Sequence, residues 1–160
     1  SRLAHRNFAV DLGFYPLGSC TMKYNPRFAD SVASDPRFAN MHPSMPEEFI
    51  QGCLKVMYII GNYLCEITGM DFASFQPPAG ASGELTGLLI IKKYLEVNNL
   101  QHKTEIIVPD SAHGTNPASA RMAGFTVVEV ETDDRGMVNI EKLKEIVGEN
   151  TAGLLSLIHI

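Results

Sequence analysis

Residues 105–120 read EIIVPDSAHGTNPASA, and this stretch decides the fold. The apolar run at residues 105–108 predicts a buried strand. Asn116 followed by Pro117 is typical of a helix N-cap with proline at the first helical position. His113 is therefore expected on a loop at the carboxyl end of a strand, which is where α/β proteins bind ligands.

Strands and helices alternate through the rest of the chain. Strands are predicted at residues 72–76, 105–108, 125–130 and 152–160, and helices between them at residues 83–97, 117–123 and 140–147. Gly124 is expected to stop the second of these helices and Asn139 to cap the third. This order is the signature of right-handed βαβ crossovers, so we predict an α/β fold with a mostly parallel or mixed sheet. Because no helix follows the last strand, we expect the chain to be part of a larger protein.

The N-terminal region has a different character. Residues 1–45 are rich in Gly, Pro, Ser and Asn and show no sustained period, which predicts an irregular arm. Ser44 and Glu47 match a capping box, and Gly69 is a plausible helix end. Between them, apolar residues recur at helical spacing, at Phe49, Cys53, Met57, Ile60, Leu64 and Ile67. We therefore predict an arm over 1–45 and the first part of a larger domain over 46–160, with a long helix before the sheet.

Composition excludes several classes of function. The 160 residues carry a net charge of -5 with a pI near 5.5 and no basic cluster, which argues against a nucleic-acid partner. No apolar run is long enough to span a bilayer and no signal pattern is present, so we expect no membrane role and a cytoplasmic location. The three cysteines form no C-x-x-C pair and the five histidines are scattered, so neither a disulfide framework nor a metal site is expected.

The first candidate ligand site is QPPAGASGE at residues 76–84, where a strand is expected to end and a helix to begin. Free N–H groups and the positive end of a helix dipole favour an anion, and glycine lets the backbone approach a phosphate closely. The segment matches neither a Walker A loop nor G-x-G-x-x-G. The residues therefore indicate a phosphate seat, while a helix start without a ligand stays an alternative.

Two further candidates carry reactive side chains. His113 can act as an acid or base or lie against an aromatic ring of a cofactor, although a loop histidine is often a plain surface residue. The arm segment YPLGSCTMKYNP, residues 15–26, is dense in hydroxyl, thiol, amine and phenol groups. Such a density of reactive groups favours a segment that packs on a site or on a neighbouring chain. A surface loop is the alternative interpretation.

Three blocks together resemble one family. YPLGSCTMKYNP, QPPAGASGELTGL and PDSAHGTNPASA occur in the order found in the pyridoxal-phosphate-dependent glycine decarboxylase of the glycine cleavage system, the P-protein. The opening residues 7–11 and Phe14-Tyr15 are more similar to the separate second subunit of bacteria and archaea than to the fused enzyme. In a eukaryotic source the resemblance would imply the mitochondrial matrix instead of the cytoplasm.

The resemblance implies the N-terminal part of a type I, aspartate aminotransferase-like, PLP-dependent transferase fold. The cofactor would be pyridoxal 5'-phosphate, acting as the electron sink for glycine decarboxylation. Its phosphate would be held by Ala81, Ser82 and Gly83, its ring would stack on His113, and Thr115 would sit nearby. The approach for glycine and the lipoyl arm would be lined by Ser19, Cys20, Thr21, Lys23, His42 and Asn116.

The implied partners are the family's first subunit, two of each in a heteromer, and the lipoylated H-protein, which receives the aminomethyl group. No lysine of this chain matches the Schiff-base motif, so we expect no catalytic residue in it and no decarboxylase activity from it alone. Residues 155–160 read LSLIHI where the family continues into a Thr-Asn-Pro-type turn, which leaves their native origin open. The alternatives are another type I PLP enzyme or a non-catalytic subunit of a heteromeric decarboxylase.

Overall fold

The computed structural model describes residues 3–10, 12–14 and 24–156. The chain divides into two compact units, Ser1–Ala73 and Ser74–Ile160. This division places the long helix with the arm. The domain boundary predicted between residues 45 and 46 refers to the complete protein, and it stays a prediction. No helix among the described residues is long and apolar enough to cross a membrane.

The first unit is helical within its described residues. It contains 3-10 turns at Ala4–Arg6 and Glu47–Phe49 and three α-helices: α1 (Arg27–Ala33), α2 (Pro36–Ala39) and α3 (Gln51–Thr68). Asp35 caps α2 by accepting a hydrogen bond from the N–H of Arg37 at 2.9 Å. Apolar side chains of α3 stay largely exposed within this unit, and none of its residues is buried.

The predicted end of α3 is confirmed, and its predicted start is wrong. Gly69 ends the helix in the left-handed region at φ 70° and donates its N–H to Cys65. Ser44 does not cap the helix, because Pro46 has extended backbone and begins the separate turn Glu47–Phe49. A proline also disfavours helical backbone at the residue before it, so a helix cannot readily run through residues 44–46.

The second unit is a three-stranded parallel sheet with helices. Its elements are α4 (Gly80–Val97), β1 (Glu105–Pro109), α5 (Thr115–Met122), β2 (Thr126–Val130), α6 (Ile140–Ile146) and β3 (Thr151–Leu154). The strand order is β2-β1-β3, with Glu105 opposite both Thr126 and Thr151. The predicted α/β class with a parallel sheet is therefore confirmed.

Strand β1 forms the core because it is buried on both faces. Alternate side chains of a strand point to opposite sides of the sheet. Ile106 and Val108 accordingly pack in one cluster with residues of α4 and α5, while Ile107 packs with Val130 and Val138 in another. An apolar run with no polar alternation is what a central parallel strand requires.

Several predicted boundaries in this unit differ from the structure, and one predicted strand does not form. The last strand, predicted over 152–160, spans Thr151–Leu154, and residues 157–160 lie outside the described residues. Residues 72–76 adopt no strand, because no neighbouring strand in the described part of the chain pairs with them. Helix α4 begins three residues before residue 83, and α5 begins at Thr115 instead of Pro117. Asn139 caps α6 through the N–H of Lys142, as predicted.

Candidate functional site

The amino end of α4 presents unpaired backbone donors. Ala79 is the N-cap residue in extended conformation, and no side chain caps the helix. The first N–H groups of an α-helix have no partner within the helix, so those of Gly80, Ala81 and Ser82 are free for a ligand. The N–H of Gly83 is not, because it donates to the carbonyl of Ala79 at 3.0 Å.

The surroundings of these donors suit an anion. The first turn of α4 contains no acidic residue. A side chain built at Gly80 or Gly83 would meet no atom within 4 Å, so the space above the turn is open. Unpaired donors, the positive end of the helix dipole and open space together fit a phosphate group.

The second corner, residues 110–114, follows β1. His113 is exposed, and its Nδ1 lies 2.9 Å from Oγ1 of Thr115 and 3.2 Å from the backbone N of Thr115. The N–H of Ala112 donates to the carbonyl of Pro109 at 3.0 Å, which turns the chain away from the strand. The structure thus places His113 on a loop at the carboxyl end of the central strand, as predicted.

Glu84 joins the two corners. Thr115 Oγ1 donates to Glu84 Oε1 at 3.1 Å, and Ser119 Oγ donates to Glu84 Oε2 at 3.4 Å. Glu84 lies in α4 directly after Gly83, so these bonds tie the amino end of α4 to the His113 turn. No role for Glu84 was predicted from the sequence. Its signal was weak, since an acidic residue one turn into a helix is usually a solvated side chain.

Asn116 differs from its predicted role as an N-cap. The N–H of Asn116 donates to the carbonyl of His113 at 2.9 Å, and Gly114 has helical backbone and is the N-cap of α5. Asn116 therefore lies inside the first turn, with 0% of its surface exposed. Both polar atoms of its amide lack a hydrogen-bond partner among the described residues. The dipeptide Asn-Pro predicted a cap at Asn116, but the helix begins earlier, with Gly114 as its N-cap residue.

The residues predicted to line the substrate approach are only partly described. Ser19, Cys20, Thr21 and Lys23 lie outside the described residues. His42 belongs to the first unit, where its Nδ1 accepts the N–H of Ser44 at 3.0 Å. Their assignment to the approach stays a prediction.

Comparison with known proteins gives close relatives along nearly the whole chain. It is 56% identical over 153 residues to the probable glycine dehydrogenase (decarboxylating) subunit 2 of Caldanaerobacter subterraneus subsp. tengcongensis, covering 96% of the chain and 32% of the relative. The protein of the same description from Thermoplasma volcanium is 57% identical over 155 residues, covering 97% of the chain and 33% of the relative. By sequence, the chain is a homologue of part of glycine dehydrogenase (decarboxylating) subunit 2.

The chain spans about a third of the length of these family members. No family model matches it. A solved structure, glycine decarboxylase (P-protein) of the glycine cleavage system in inhibitor-bound form, shares the fold with a TM-score of 0.64. That match has 18% sequence identity and covers 82% of this chain and 30% of the solved one. The predicted type I PLP-dependent fold is therefore confirmed for this segment.

Proposed function

We propose that the chain is part of a PLP-dependent glycine decarboxylase of the glycine cleavage system. The complete protein would decarboxylate glycine and transfer the remaining aminomethyl group to the lipoyl group of the H-protein. The relatives carry the name of this activity, and this chain has candidate residues for holding a phosphate at the start of α4 and for stacking on a ring after β1. The cytoplasmic location belongs to the same proposal.

One observation carries the proposal: the hydrogen bond of 3.1 Å between Thr115 and Glu84. It links the amino end of α4, which has free donors, to the turn that holds His113. The candidate phosphate seat and the imidazole of His113 are therefore linked to each other within the second unit. A cofactor that has both a phosphate and a flat aromatic ring needs that pairing.

The residues present fit pyridoxal 5'-phosphate. The free N–H groups of Ala81 and Ser82, with the Ser82 hydroxyl, would hold the phosphate, and Gly83 would leave room for it. His113 would stack on the ring. The buried amide of Asn116, without a partner in the described chain, is a further polar group close to this corner along the sequence. When bound, the cofactor supplies an electron sink for loss of carbon dioxide from an amino acid.

The chain's own residues would bind and orient the cofactor. Backbone donors of a helix start are fixed in space, so they need no reorganisation when an anion arrives. Thr115 would hold the imidazole of His113 in one orientation through the 2.9 Å contact between Oγ1 and Nδ1. Within this proposal the partners are glycine, the lipoylated H-protein and the first subunit, with no nucleic acid and no membrane.

The test uses the full-length protein that contains this chain, purified with its first subunit and loaded with PLP. Release of labelled carbon dioxide from carboxyl-labelled glycine in the presence of lipoylated H-protein would support the proposal. Ser82→Ala should weaken PLP binding about tenfold, because it removes a hydrogen bond to a charged group. Binding is followed by the absorbance of the bound cofactor.

The matched control is Thr86→Ala. Thr86 lies one turn further along α4 and donates its hydroxyl to the Ser82 carbonyl at 2.7 Å, so it tests α4 without removing the Ser82 hydroxyl. PLP affinity should stay unchanged in this variant. Absence of bound PLP, or PLP binding without carbon dioxide release from glycine, would contradict the proposed function.

A further inference from the structure

Three side chains form a line of hydrogen bonds beside the proposed phosphate seat. Nδ1 of His113 lies 2.9 Å from Oγ1 of Thr115, and that oxygen lies 3.1 Å from Oε1 of Glu84. Thr115 and Glu84 are half-buried, whereas His113 is exposed. The Thr115 hydroxyl has one proton and two polar neighbours. The neighbour to which it donates therefore determines the donor and acceptor in both hydrogen bonds.

The carboxylate decides where that proton goes. An ionised Glu84 can only accept, so a hydroxyl that turned its proton to His113 would leave two oxygens facing each other at 3.1 Å without a proton between them. Hydrogen bonds to a charged group are about twice as strong as neutral ones. The Thr115 hydroxyl therefore donates to Glu84, and its oxygen accepts from Nδ1–H of His113.

A competing contact favours the opposite tautomer of His113. The backbone N–H of Thr115 lies 3.2 Å from Nδ1 and would prefer an unprotonated nitrogen there. That contact is longer than the hydroxyl contact of 2.9 Å and involves two neutral groups. Because the Thr115 hydroxyl proton is directed at Glu84, an unprotonated Nδ1 would face the lone pairs of Oγ1 at 2.9 Å, and avoiding that repulsion outweighs the longer backbone contact.

We propose that Glu84 acts through Thr115 as a positioning residue for His113, keeping the ring proton on Nδ1 and leaving Nε2 as the ring's only hydrogen-bond acceptor. Nε2 is then the atom of the imidazole that can take a proton from a ligand. A catalytic role for Nε2 rests on the proposed function, whereas the tautomer of His113 does not.

The test is a measurement of the His113 tautomer by nitrogen NMR. The full-length protein is labelled with 15N-histidine and studied without glycine, at a pH where the ring is neutral, with His113→Gln used to assign the signals. The parent protein should show mainly the Nδ1–H form. In Thr115→Val and in Glu84→Gln the ratio of the Nδ1–H form to the Nε2–H form should fall, by about tenfold for the valine variant, which loses the whole line.

Two further variants separate positioning from simple packing of α4 on α5. Thr115→Ser keeps the hydroxyl and should restore the parent ratio. Ser119→Ala removes the other hydrogen bond to Glu84, of 3.4 Å, but leaves the line to His113 intact, so the ratio should not change. An unchanged ratio in Thr115→Val or Glu84→Gln, or an equal fall in Ser119→Ala, would overturn the inference.

This measurement is independent of the proposed activity. A protein that binds no PLP or releases no carbon dioxide from glycine would contradict the proposed function and leave the tautomer result standing. Conversely, an active decarboxylase whose Thr115→Val variant keeps the parent tautomer ratio would overturn this inference and leave the proposed function standing. The two failures are therefore distinguishable.

Discussion

At the scale of single residues, Gly124 shows why a particular amino acid is needed at the end of α5. Its backbone lies in the left-handed region at φ 86°. The neighbouring carbonyl, that of Ala123, accepts a hydrogen bond from Nζ of Lys92 at 2.8 Å. A Cβ added at residue 124 would come within 2.7 Å of the same Nζ. The backbone conformation thus requires glycine, whereas the flexible Lys92 side chain would only have to move away.

We predict that Gly124→Ala lowers the free energy of unfolding by about 1–2 kcal/mol, the cost of left-handed backbone in a residue with a Cβ. The displaced ammonium of Lys92 adds to this cost. Urea unfolding of the full-length protein measures the change. Gly87→Ala is the control, because residue 87 lies inside α4 with open space around it and should gain about 0.5–1 kcal/mol. An unchanged free energy of unfolding in Gly124→Ala would contradict the predicted cost of left-handed backbone.

Residue types alone revealed part of the site. His113 and the glycine-rich start of α4 stand out because an imidazole can bind or stack on a ligand and glycine lets the backbone approach a phosphate closely. Glu84 does not stand out, since its role depends on the packing of α4 beside α5, which no local pattern states. For Asn116 the pattern suggested a cap, but burial of the side chain is a tertiary property.

At the scale of elements, the turn between β2 and α6 depends on one carboxylate. Oδ1 of Asp133 accepts the backbone N–H groups of Met137 and Arg135, each at 2.9 Å. The hydrogen bond from Met137 is the main cause that holds the pKa of Asp133 below its usual range, with further help from Arg135, while partial desolvation acts in the opposite direction. The ionised carboxylate therefore stabilises this turn.

A pH dependence follows from that lowered pKa. Stability from Asp133 is fully present above its unfolded pKa of about 4 and is lost as the pH falls through the lower folded value. Asp133→Asn should therefore be less stable than the parent at neutral pH, with the difference shrinking in acid. Paired urea titrations at several pH values check this. Asp134→Asn, at the exposed neighbour, should show no such convergence, and a difference independent of pH at residue 133 would contradict the prediction.

Element types were more predictable than element starts. The run at residues 105–108, the helix stop at Gly124 and the cap at Asn139 each reflect a local physical preference, and each is confirmed. Helices α4 and α5 begin before their predicted starts, because a helix can extend through any residues that tolerate helical backbone. Helix α3 begins after its predicted start, because Pro46 interrupts the helical backbone. The strand at 72–76 failed since a strand needs a partner, which its own sequence cannot supply.

At the scale of the whole molecule, the second unit depends on a sheet that is covered on both faces at its central strand. Ile106 faces one cluster and Ile107 the other, and each is only 1% exposed. Because one strand serves both clusters, loss of either side chain weakens the packing of the unit. The first unit offers no comparable core within its described residues, where α3 contributes no buried side chain.

We predict that Ile107→Ala lowers the free energy of unfolding by about 2–5 kcal/mol, through lost burial and the cavity that remains. The matched control is Ile140→Ala, whose side chain is largely exposed and should cost no more than about 0.5 kcal/mol. Chemical denaturation of the full-length protein measures both. Equal effects at the two positions would show that Ile107 is not in a close-packed core.

The order β2-β1-β3 also has a consequence for biosynthesis. The ribosome makes the middle strand first, so the bare edges of Glu105–Pro109 emerge before either neighbour exists. Thr126–Val130 arrives next and Thr151–Leu154 last, so one edge stays open through the translation of the whole intervening helix. During that interval the nascent polypeptide exposes an apolar strand with an unpaired edge, which is a surface that chaperones can bind.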